Sequence, residues 1–561
     1  MTTIAVIPCA QGLAVAGADR DVCAARILPW KVAGALLDDP ALTVVVVDDI
    51  PAWHLERVLA ALAAGDPEAP AVAAAPTRER VASLARRPRP WARTVALSIL
   101  AGDLSAACCR AGLALPAADD ALAQAVAAAA LAARHHGLIA VRARLAAEHP
   151  GLGDHAFQAM PGALAERVVL AGRQQASKPR AIAAERRPVA DLLGDPARFA
   201  CRRVDTGAAS QAILAGAVSW DTRGRLDLHP VGGGTHRVGR TAVRLGVGGL
   251  HSDDLPGSID GPLTDLDVAS YYPSIIHADR ICPPGIGDFA TNVGQLMARR
   301  LVAKRGGDRL ASEALKIVVN SLYGQLGNHR SALWSPPDAL RVVLTGQLLL
   351  LRLIDGLLEA GCDLVSANTD GVVVRGDHAA AAARWRQDTG FALDEHAYAR
   401  LARTSVNDYV AVGLDGAVVK TKGAFGGGDD QRSASRSAAP IIARAAVARL
   451  VHGRDPGEVV AASTDVLDFT LWRRARDLTW GDQAISGSVV RWVVSRRGRP
   501  IVQATKGSQR TVAATALLVD DPAALDPTLI DRAWYRDEAE RLVEAVTGPA
   551  PDAARQTSLF G

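Results

Sequence analysis

The chain has 561 residues, 49% of them hydrophobic and 22% charged. That length excludes a single core and points to three or four structural units, and the composition excludes a disordered or fibrous protein. A net charge of +4 permits nucleic-acid binding without arguing for it, so local basic clusters must decide. None of the seven cysteines stands in C-x-x-C spacing, so no zinc or iron–sulfur site is expected. Scattered thiols read as reduced cysteines of a cytoplasmic protein. The opening MTTIAVIPCAQG lacks a basic n-region and is not expected to be a signal peptide. The Ala-rich run 121–133, interrupted by Gln124, is too short to span a bilayer, so no membrane partner is expected.

Up to about residue 60, short apolar strands (TIAVIP, LAVAG, LTVVVVDD) precede a helical stretch from Trp53 to Ala64. Residues 65–90 are Pro/Ala-rich and loop-like, and 118–146 read as helix. The span 1–175 is therefore expected to be an α/β domain. Residues 176–260 read as a basic, Pro- and Gly-rich connector ending in RLGVGGLHSDDLPG. Its Gly248 and Gly249 allow either a close backbone approach to a partner such as a phosphate chain or a plain loop. A strand is expected over 263–276, followed by Cys282-Pro-Pro-Gly as a turn. Two helices, 289–304 and 308–322, meet at Gly306-Gly307, and a long helix covers about 337–360. CDLVSANTDGVVVR and YVAVGLDGAVVKTKG read as hairpins, the second turning at Asp415-Gly416. GGGDDQRSASR, from Gly426, reads as a junction, and 437–545 as a mostly helical unit with a basic hairpin.

Chemistry enters with DLDVASYYPSII, from Asp265. Residues i and i+2 of a strand share a face, so Asp265 and Asp267 point the same way. Alone, such a pair also describes a solvated edge. Asn368-Thr369-Asp370-Gly371 sets another carboxylate at the tip of a tight hairpin. If that hairpin pairs with the first strand, Asp267 and Asp370 converge into a site for hard dications such as Mg²⁺. Two such ions suit phosphoryl transfer. Lys316, Asn320 and Tyr323, at i, i+4 and i+7, share one helical face. Arg300 and Lys304 stand at i, i+4 on the preceding helix, and Lys420 and Lys422 share a strand face that can follow a phosphate backbone.

The three motifs, in this order, resemble the catalytic core of family B DNA polymerases. DVASYYPSII is similar to that family's D-x-x-S-L-Y-P-S-I-I, KIVVNSLYG to its K-x-x-x-N-S-x-Y-G, and SANTDG to its Y-G-D-T-D-S. The resemblance covers about 240–430 well and 430–545 loosely. It implies an α+β multidomain chain shaped as a right hand of palm, fingers and thumb, behind an N-terminal RNase H-like exonuclease-type domain. The implied boundaries are 1–175 for that domain, 176–260 for the connector and start of the palm, 261–285 and 317–428 for the palm, 286–316 for short fingers, 429–545 for the thumb and 546–561 for a tail.

Carried over by position, the resemblance makes Asp267 and Asp370 the catalytic, metal-holding aspartates, with the carbonyl of Val268 as a further ligand. Two Mg²⁺ ions are implied, with Mn²⁺ as a substitute. Ser270, Tyr271, Tyr272, Arg300, Lys304, Lys316, Asn320 and Tyr323 become nucleotide-binding, with Tyr272-Pro273 ending the strand in a rigid turn and the ring of Tyr272 rejecting a 2′-OH. Gly248, Gly249, Thr369, Lys420 and Lys422 become DNA-binding, and primer-template DNA and dNTPs become the partners. Asp265 is not one of the family's ligands and reads as a neighbour or an edge residue. A thumb would use Arg473, Arg474, Arg476, Arg491, Arg496, Arg497, Arg499 and Lys506 to grip duplex DNA, or these make a solvated basic surface.

The pattern also departs from the family. Asn368 replaces the first Asp of D-T-D, Gly371 the usual Ser, and Tyr271 the usual Leu. The first strand carries no carboxylate, Asp66-Pro67-Glu68 lies in a Pro/Ala loop, and Asp119 and Asp120 alone do not make a site. The N-terminal domain is therefore expected to lack proofreading. QTSLF at the C-terminus resembles the peptide with which bacterial polymerases dock on the β sliding clamp. There Gln556, Leu559 and Phe560 would be the contacts, in a bacterial, plasmid or phage setting. A nuclease using the same carboxylates, or a non-catalytic DNA- and clamp-binding scaffold, are the competing readings.

Overall fold

A computed structural model describes residues 3–9, 12–17, 25–28, 43–46, 93–96, 103–117, 120–152, 159–170, 182–426, 435–436, 438–505 and 508–548. The chain forms two compact units. One comprises Met1–Met160, Gly426–Ala445 and Arg454–Ala539, and the other Pro161–Phe425, Ala446–Gly453 and Glu540–Gly561. Among the described residues no helix is long and apolar enough to cross a membrane.

The first unit begins with strands β1 (Thr3–Cys9), β2 (Gly12–Gly17), β3 (Ala25–Leu28), β4 (Thr43–Val46) and β5 (Arg93–Ala96). They form a mixed sheet in the order β3-β2-β1-β4-β5. β1 is antiparallel to β2 and parallel to β4, and β4 is parallel to β5. Ala5, Val6, Val44 and Val45 are fully buried, as expected of a sheet whose strands read as continuous apolar runs. Helices α1 (Leu104–Ala111), α2 (Ala121–Arg134) and α3 (His136–Glu148) follow, and α2 lays its alanine face on β1 and β2. Asp120 caps α2, its carboxylate accepting from the Ala123 amide at 2.9 Å. The Trp53–Ala64 helix, Asp66, Glu68 and Asp119 lie outside the described residues.

The second unit starts earlier than the sequence implied. Helix α4 (Pro161–Val169), expected in the N-terminal domain, packs here: Ser331 Oγ donates to Glu166 at 2.6 Å, and Asn292 donates to the Val169 carbonyl at 3.2 Å. Much of the expected connector is also ordered structure. It holds β6 (Glu185–Pro188), helix α5 (Val204–Leu214), β7 (Ala217–Trp220), β8 (Leu226–His229), β9 (Thr235–Val238), β10 (Thr241–Arg244) and β11 (His251–Ser252). Strands of two to four residues are too short to show alternation, so Gly and Pro dominated the reading.

β12 (Gly257–Val268) is longer at its start and shorter at its end than expected. It does not stop in a Tyr-Pro turn. Ser270 enters the left-handed region at φ 50°, and helix α6 (Tyr271–Ala278) begins at once. Pro273 sits in the first turn of α6, where its missing N–H costs nothing. Helices α7 (Phe289–Arg305) and α8 (Arg309–Leu326) form the expected hairpin at Gly306-Gly307, and α9 (Pro336–Glu359) is the long helix.

β13 (Asp363–Asn368), β14 (Gly371–Arg375), helix α10 (Ala379–Thr389), β15 (Leu393–Ser405), β16 (Asp408–Val412) and β17 (Val418–Lys422) complete a nine-stranded sheet. Its order is β17-β16-β15-β12-β14-β13-β11-β10-β9, so β12 is an interior strand between β14 and β15.

Residues 437–545 are not mostly helical. The first unit resumes there with β18 (Ser435–Arg436), β19 (Leu471–Arg474), β20 (Leu478–Trp480), β21 (Gln483–Ala484), β22 (Val489–Thr505) and β23 (Ser508–Leu518) in one six-stranded sheet. The basic hairpin is β22–β23. Arg491, expected on a DNA-gripping surface, is 1% exposed. Its guanidinium donates to the carbonyls of Leu113, Val519 and Asp520 at 2.6–2.9 Å, so it is a core cross-link. Lys506 and the tail with Gln556, Leu559 and Phe560 lie outside the described residues.

Candidate active site

Strand alternation places Leu263, Asp265 and Asp267 of β12 on one face and Leu266 and Val268, both buried, on the other. β14 runs antiparallel beside β12, with Asp267 opposite Gly371. The Val268 amide donates to the Asp370 carbonyl at 2.8 Å, which locks the β13–β14 turn to the end of β12. The condition for convergence is met: Asp267 and Asp370 line the same cleft and the same smaller cavity behind it.

Two of the four non-glycine residues with positive φ among the described residues stand near the carboxylates. Ser270 and Thr369 have φ of 50° and 55°. A β-branched residue in that region is an outlier, and such outliers cluster at working sites. Thr369 is held there by its amide, which donates to the Leu250 carbonyl at 2.7 Å, and by a 3.2 Å bond between its hydroxyl and His251 Nε2. Gly249, at φ 116°, closes on the same turn. A Cβ there would stand 3.1 Å from the Thr369 side chain. Gly248 lies in the same tight loop, which the Gln347 amide pins through both the N–H and the carbonyl of Gly246.

Burial, then the charge of Asp370, then that of Asp265, push the Asp267 carboxyl up to about 6. Burial likewise raises Asp370, against the pull of Lys422 and Lys420. Two carboxylates that repel each other in a half-buried pocket fit a hard divalent cation. The donors available are two carboxylates and backbone carbonyls such as that of Val268, an all-oxygen set. Among the described residues no group of three or more His, Cys, Asp or Glu side chains gathers for a metal. Asp394, opposite Asp267 on β15, lines the cleft and was not anticipated. Its strand, LDEHAYARLARTS, holds three Ala and two Arg among its thirteen residues, and nothing in its spacing marks it.

The cleft has a volume of about 730 Å³. Its walls bring together Asp267, Val268, Ser270, Tyr271, Tyr272, Arg300, Lys304, Asn320, Tyr323, Thr369 and Asp370. Arg300 on α7 donates to Ser270 Oγ at 2.9 Å, joining the helical hairpin to the end of β12. The Tyr272 and Tyr323 rings lie 4.4 Å apart. Tyr271, expected to touch nucleotide, is 4% exposed; its hydroxyl donates to the Gly346 carbonyl at 2.6 Å. It is a floor residue.

Lys316 does not join this wall. Its ammonium pairs with Glu313 at 3.5 Å on the outer side of α8. Lys420 and Lys422 line the smaller cavity, of about 140 Å³, with Asp265, Asp267 and Asp370. Asp265 is no solvated edge: it is 7% exposed and accepts from Tyr398 Oη at 2.6 Å and from Lys420 Nζ at 3.2 Å.

No family model matches the chain. One stretch is 30% identical over 204 residues to DNA polymerase II of Escherichia coli (strain K12), covering 30% of this chain and 25% of that protein. The match thus spans about a quarter of the length of that curated relative. Among solved structures, the family B DNA polymerase from the hyperthermophilic archaeon Pyrobaculum calidifontis aligns with a TM-score of 0.45 at 13% identity, over 98% of this chain and 78% of that one.

Proposed function

We propose that the chain is a metal-dependent, DNA-templated DNA polymerase of the family B kind, which extends a primer 3′-OH with dNTPs and releases pyrophosphate. The observation that carries this reading is the gathering of Asp267 and Asp370 with Tyr272, Arg300, Lys304, Asn320 and Tyr323 in one cleft. A nuclease would use the carboxylates but has no task for the wall of aromatic, amide and cationic groups. The stretch similar to DNA polymerase II supports the same reading.

Asp267, Asp370 and the Val268 carbonyl would hold Mg²⁺, or Mn²⁺ in its place. Bound there, two such ions supply an activated attacking hydroxyl and charge stabilisation on the leaving oxygen. Arg300 and Lys304 bind and orient the triphosphate. Tyr272 fills the space that a ribose 2′-OH needs, and Asn320 and Tyr323 line the nascent base pair. Lys316 contributes once it leaves Glu313. Lys420, Lys422, Thr369 and the Gly248-Gly249 loop face primer-template DNA.

The second unit would supply palm and fingers, and β18–β23 the core of the thumb. The mixed five-stranded sheet of the first unit, whose first strand is central, supports an RNase H-like domain. Its five strands contain no Asp or Glu, so the reading includes no proofreading. The QTSLF tail would dock on a β sliding clamp, and a short fingers hairpin without proofreading suits repair or lesion bypass.

The test is primer extension with dNTPs and Mg²⁺ by the wild type and Asp370→Ala. Extension lost in the variant, with no primer shortening when dNTPs are withheld, is the expected result. Tight DNA binding without synthesis by the wild type sinks the reading in favour of a scaffold. Loss of clamp binding on removing residues 556–561 tests the tail.

A further inference from the structure

Helix α9 carries a glycine in its middle, and Tyr271 and Tyr272, packed on it, line the cleft. Gly346 is buried, eleven residues into the 24-residue helix. A glycine there costs about 1 kcal/mol relative to alanine, so something must require it. Gly356, one turn short of the end of the same helix, shows the contrast. A Cβ on Gly356 would meet only the Ala381 methyl at an ordinary 3.8 Å. A Cβ on Gly346 would stand 3.2 Å from Tyr272 Cε1, 3.4 Å from Tyr271 Cε1 and 3.4 Å from Ile275 Cδ1. The missing methyl is therefore the space into which the two tyrosine rings settle.

The carbonyl of the same residue accepts the Tyr271 hydroxyl at 2.6 Å. Tyr271 lies nearly parallel to Tyr272, with centroids 6.0 Å apart and planes at 15°, and meets the Phe391 ring edge-on at 6.1 Å. The Tyr272 ring also meets that of Tyr323, tilted at 45°. The ring facing the cleft thus has a fixed back wall: the bare Cα of Gly346, and the ring of Tyr271 tied to that residue's own carbonyl. This also accounts for the tyrosine that stands where the family's pattern has leucine. A larger ring at 271 fits because the helix opposite has no side chain at 346.

We propose that Gly346 and Tyr271 are specificity-determining positioning residues: together they set how far the Tyr272 ring reaches into the cleft, and so how strongly a ribonucleotide is rejected. This rests on the polymerase reading of the cleft. A methyl at 346 has to displace the Tyr272 ring by a few tenths of an ångström, and on this proposal the ring moves into the cleft that it lines. Removing the Tyr271 hydroxyl does the reverse, because the floor loses its tie and the gate ring can settle back. Pocket contacts of methyl size change discrimination by about tenfold or more, and a transmitted shift delivers part of that.

The experiment is single-nucleotide insertion by wild type, Gly346→Ala and Tyr271→Phe, reading kcat/KM for a dNTP and for the matching rNTP. The dNTP-to-rNTP ratio is expected to rise several-fold in Gly346→Ala and to fall several-fold in Tyr271→Phe. A merely structural role would lower both rates together and leave the ratio alone. Ratios unchanged in both variants of an active wild type overturn the inference and leave the polymerase reading standing. A wild type that inserts neither nucleotide overturns both. Tyr271→Phe alone decides the matter if Gly346→Ala does not fold.

Discussion

Lys420 on an edge strand of the nine-stranded sheet reaches Asp265 three strands inward, with Nζ 3.2 Å from Oδ2. The same oxygen accepts the Tyr398 hydroxyl at 2.6 Å. The ammonium also lies 6.0 Å from the centroid of the Tyr409 ring. Asp265 thus fixes the lysine beside Asp267 and Asp370 without using either carboxylate. Replacing Asp265 by Asn leaves a half-buried cation free to pair with Asp267. The Mg²⁺ concentration for half-maximal primer extension is expected to rise several-fold in Asp265→Asn. A double cycle with Lys420→Met should show coupling of about 1 kcal/mol, since paired charges are not additive. An unshifted Mg²⁺ titration contradicts this role.

The Arg300–Ser270 bond ties the helical hairpin to the strained end of β12. Among the described residues Arg300 Nε is buried with no hydrogen-bond partner. The guanidinium lines the cleft, and with Nη1 committed to Ser270 its Nη2 is placed to take a phosphate oxygen as well. Arg300→Ala is expected to raise the KM for dNTP on the order of tenfold to a hundredfold, the effect of one charged hydrogen bond. The Kd for primer-template should change little. Arg300→Lys should restore only part of the loss, because the fork geometry is gone. Steady-state insertion kinetics with a DNA-binding titration separate these outcomes.

Much of the site was legible because its residues sit at spacings that local structure enforces. Asp267, Tyr272, Asn320, Tyr323 and Asp370 lie on a strand, a helix start, one helix face and a hairpin tip. Each of those geometries follows from periodicity or turn chemistry. What escaped is what depends on the sheet. β15 is thirteen residues of LDEHAYARLARTS, with little strand propensity, and is a strand because β12 and β16 pair with both its edges. Asp394 and Tyr398 therefore arrived at the site unannounced. Arg491 failed for a similar reason: a basic hairpin reads as a surface, and only tertiary structure turns one arginine inward to three carbonyls. Lys316 has the right spacing, yet Glu313 holds it.

Gly371 illustrates how a departure from a pattern can be forced by its neighbours. A Cβ there would stand 3.1 Å from Asp267 Oδ1 and 3.1 Å from the Leu266 carbonyl. The backbone of β12 cannot retreat, so any side chain at 371 presses on the carboxylate. Gly371→Ser would match the usual family residue, but here it is expected to lower kcat for extension on the order of tenfold or more. Folding should survive, because the strand pairing remains. Retention of full activity in Gly371→Ser, read by primer extension beside a thermal melt, would show that the carboxylate has more room than this packing allows.

The stability of the second unit should hinge on Arg403. Its side chain is 9% exposed and that of its partner Asp254 is fully buried. The guanidinium donates to Asp254 at 2.8 Å and to the Val365 carbonyl at 2.7 Å. Asp254 in turn accepts from Ser252 at 2.5 Å and Ser366 at 2.6 Å. One charge pair thus joins β15 to β13 and to the segment after β11, directly behind the turn that carries Asp370. Removing one partner leaves the other buried without its counter-charge, which costs about 3–5 kcal/mol. Arg403→Met is therefore expected to destabilise the second unit by that order, measured as a lowered urea midpoint. Arg403→Met combined with Asp254→Leu removes both charges and should recover part of the loss. If the double variant is no more stable than the single one, the pair's contribution lies in its bonds to Val365, Ser252 and Ser366 rather than in charge compensation.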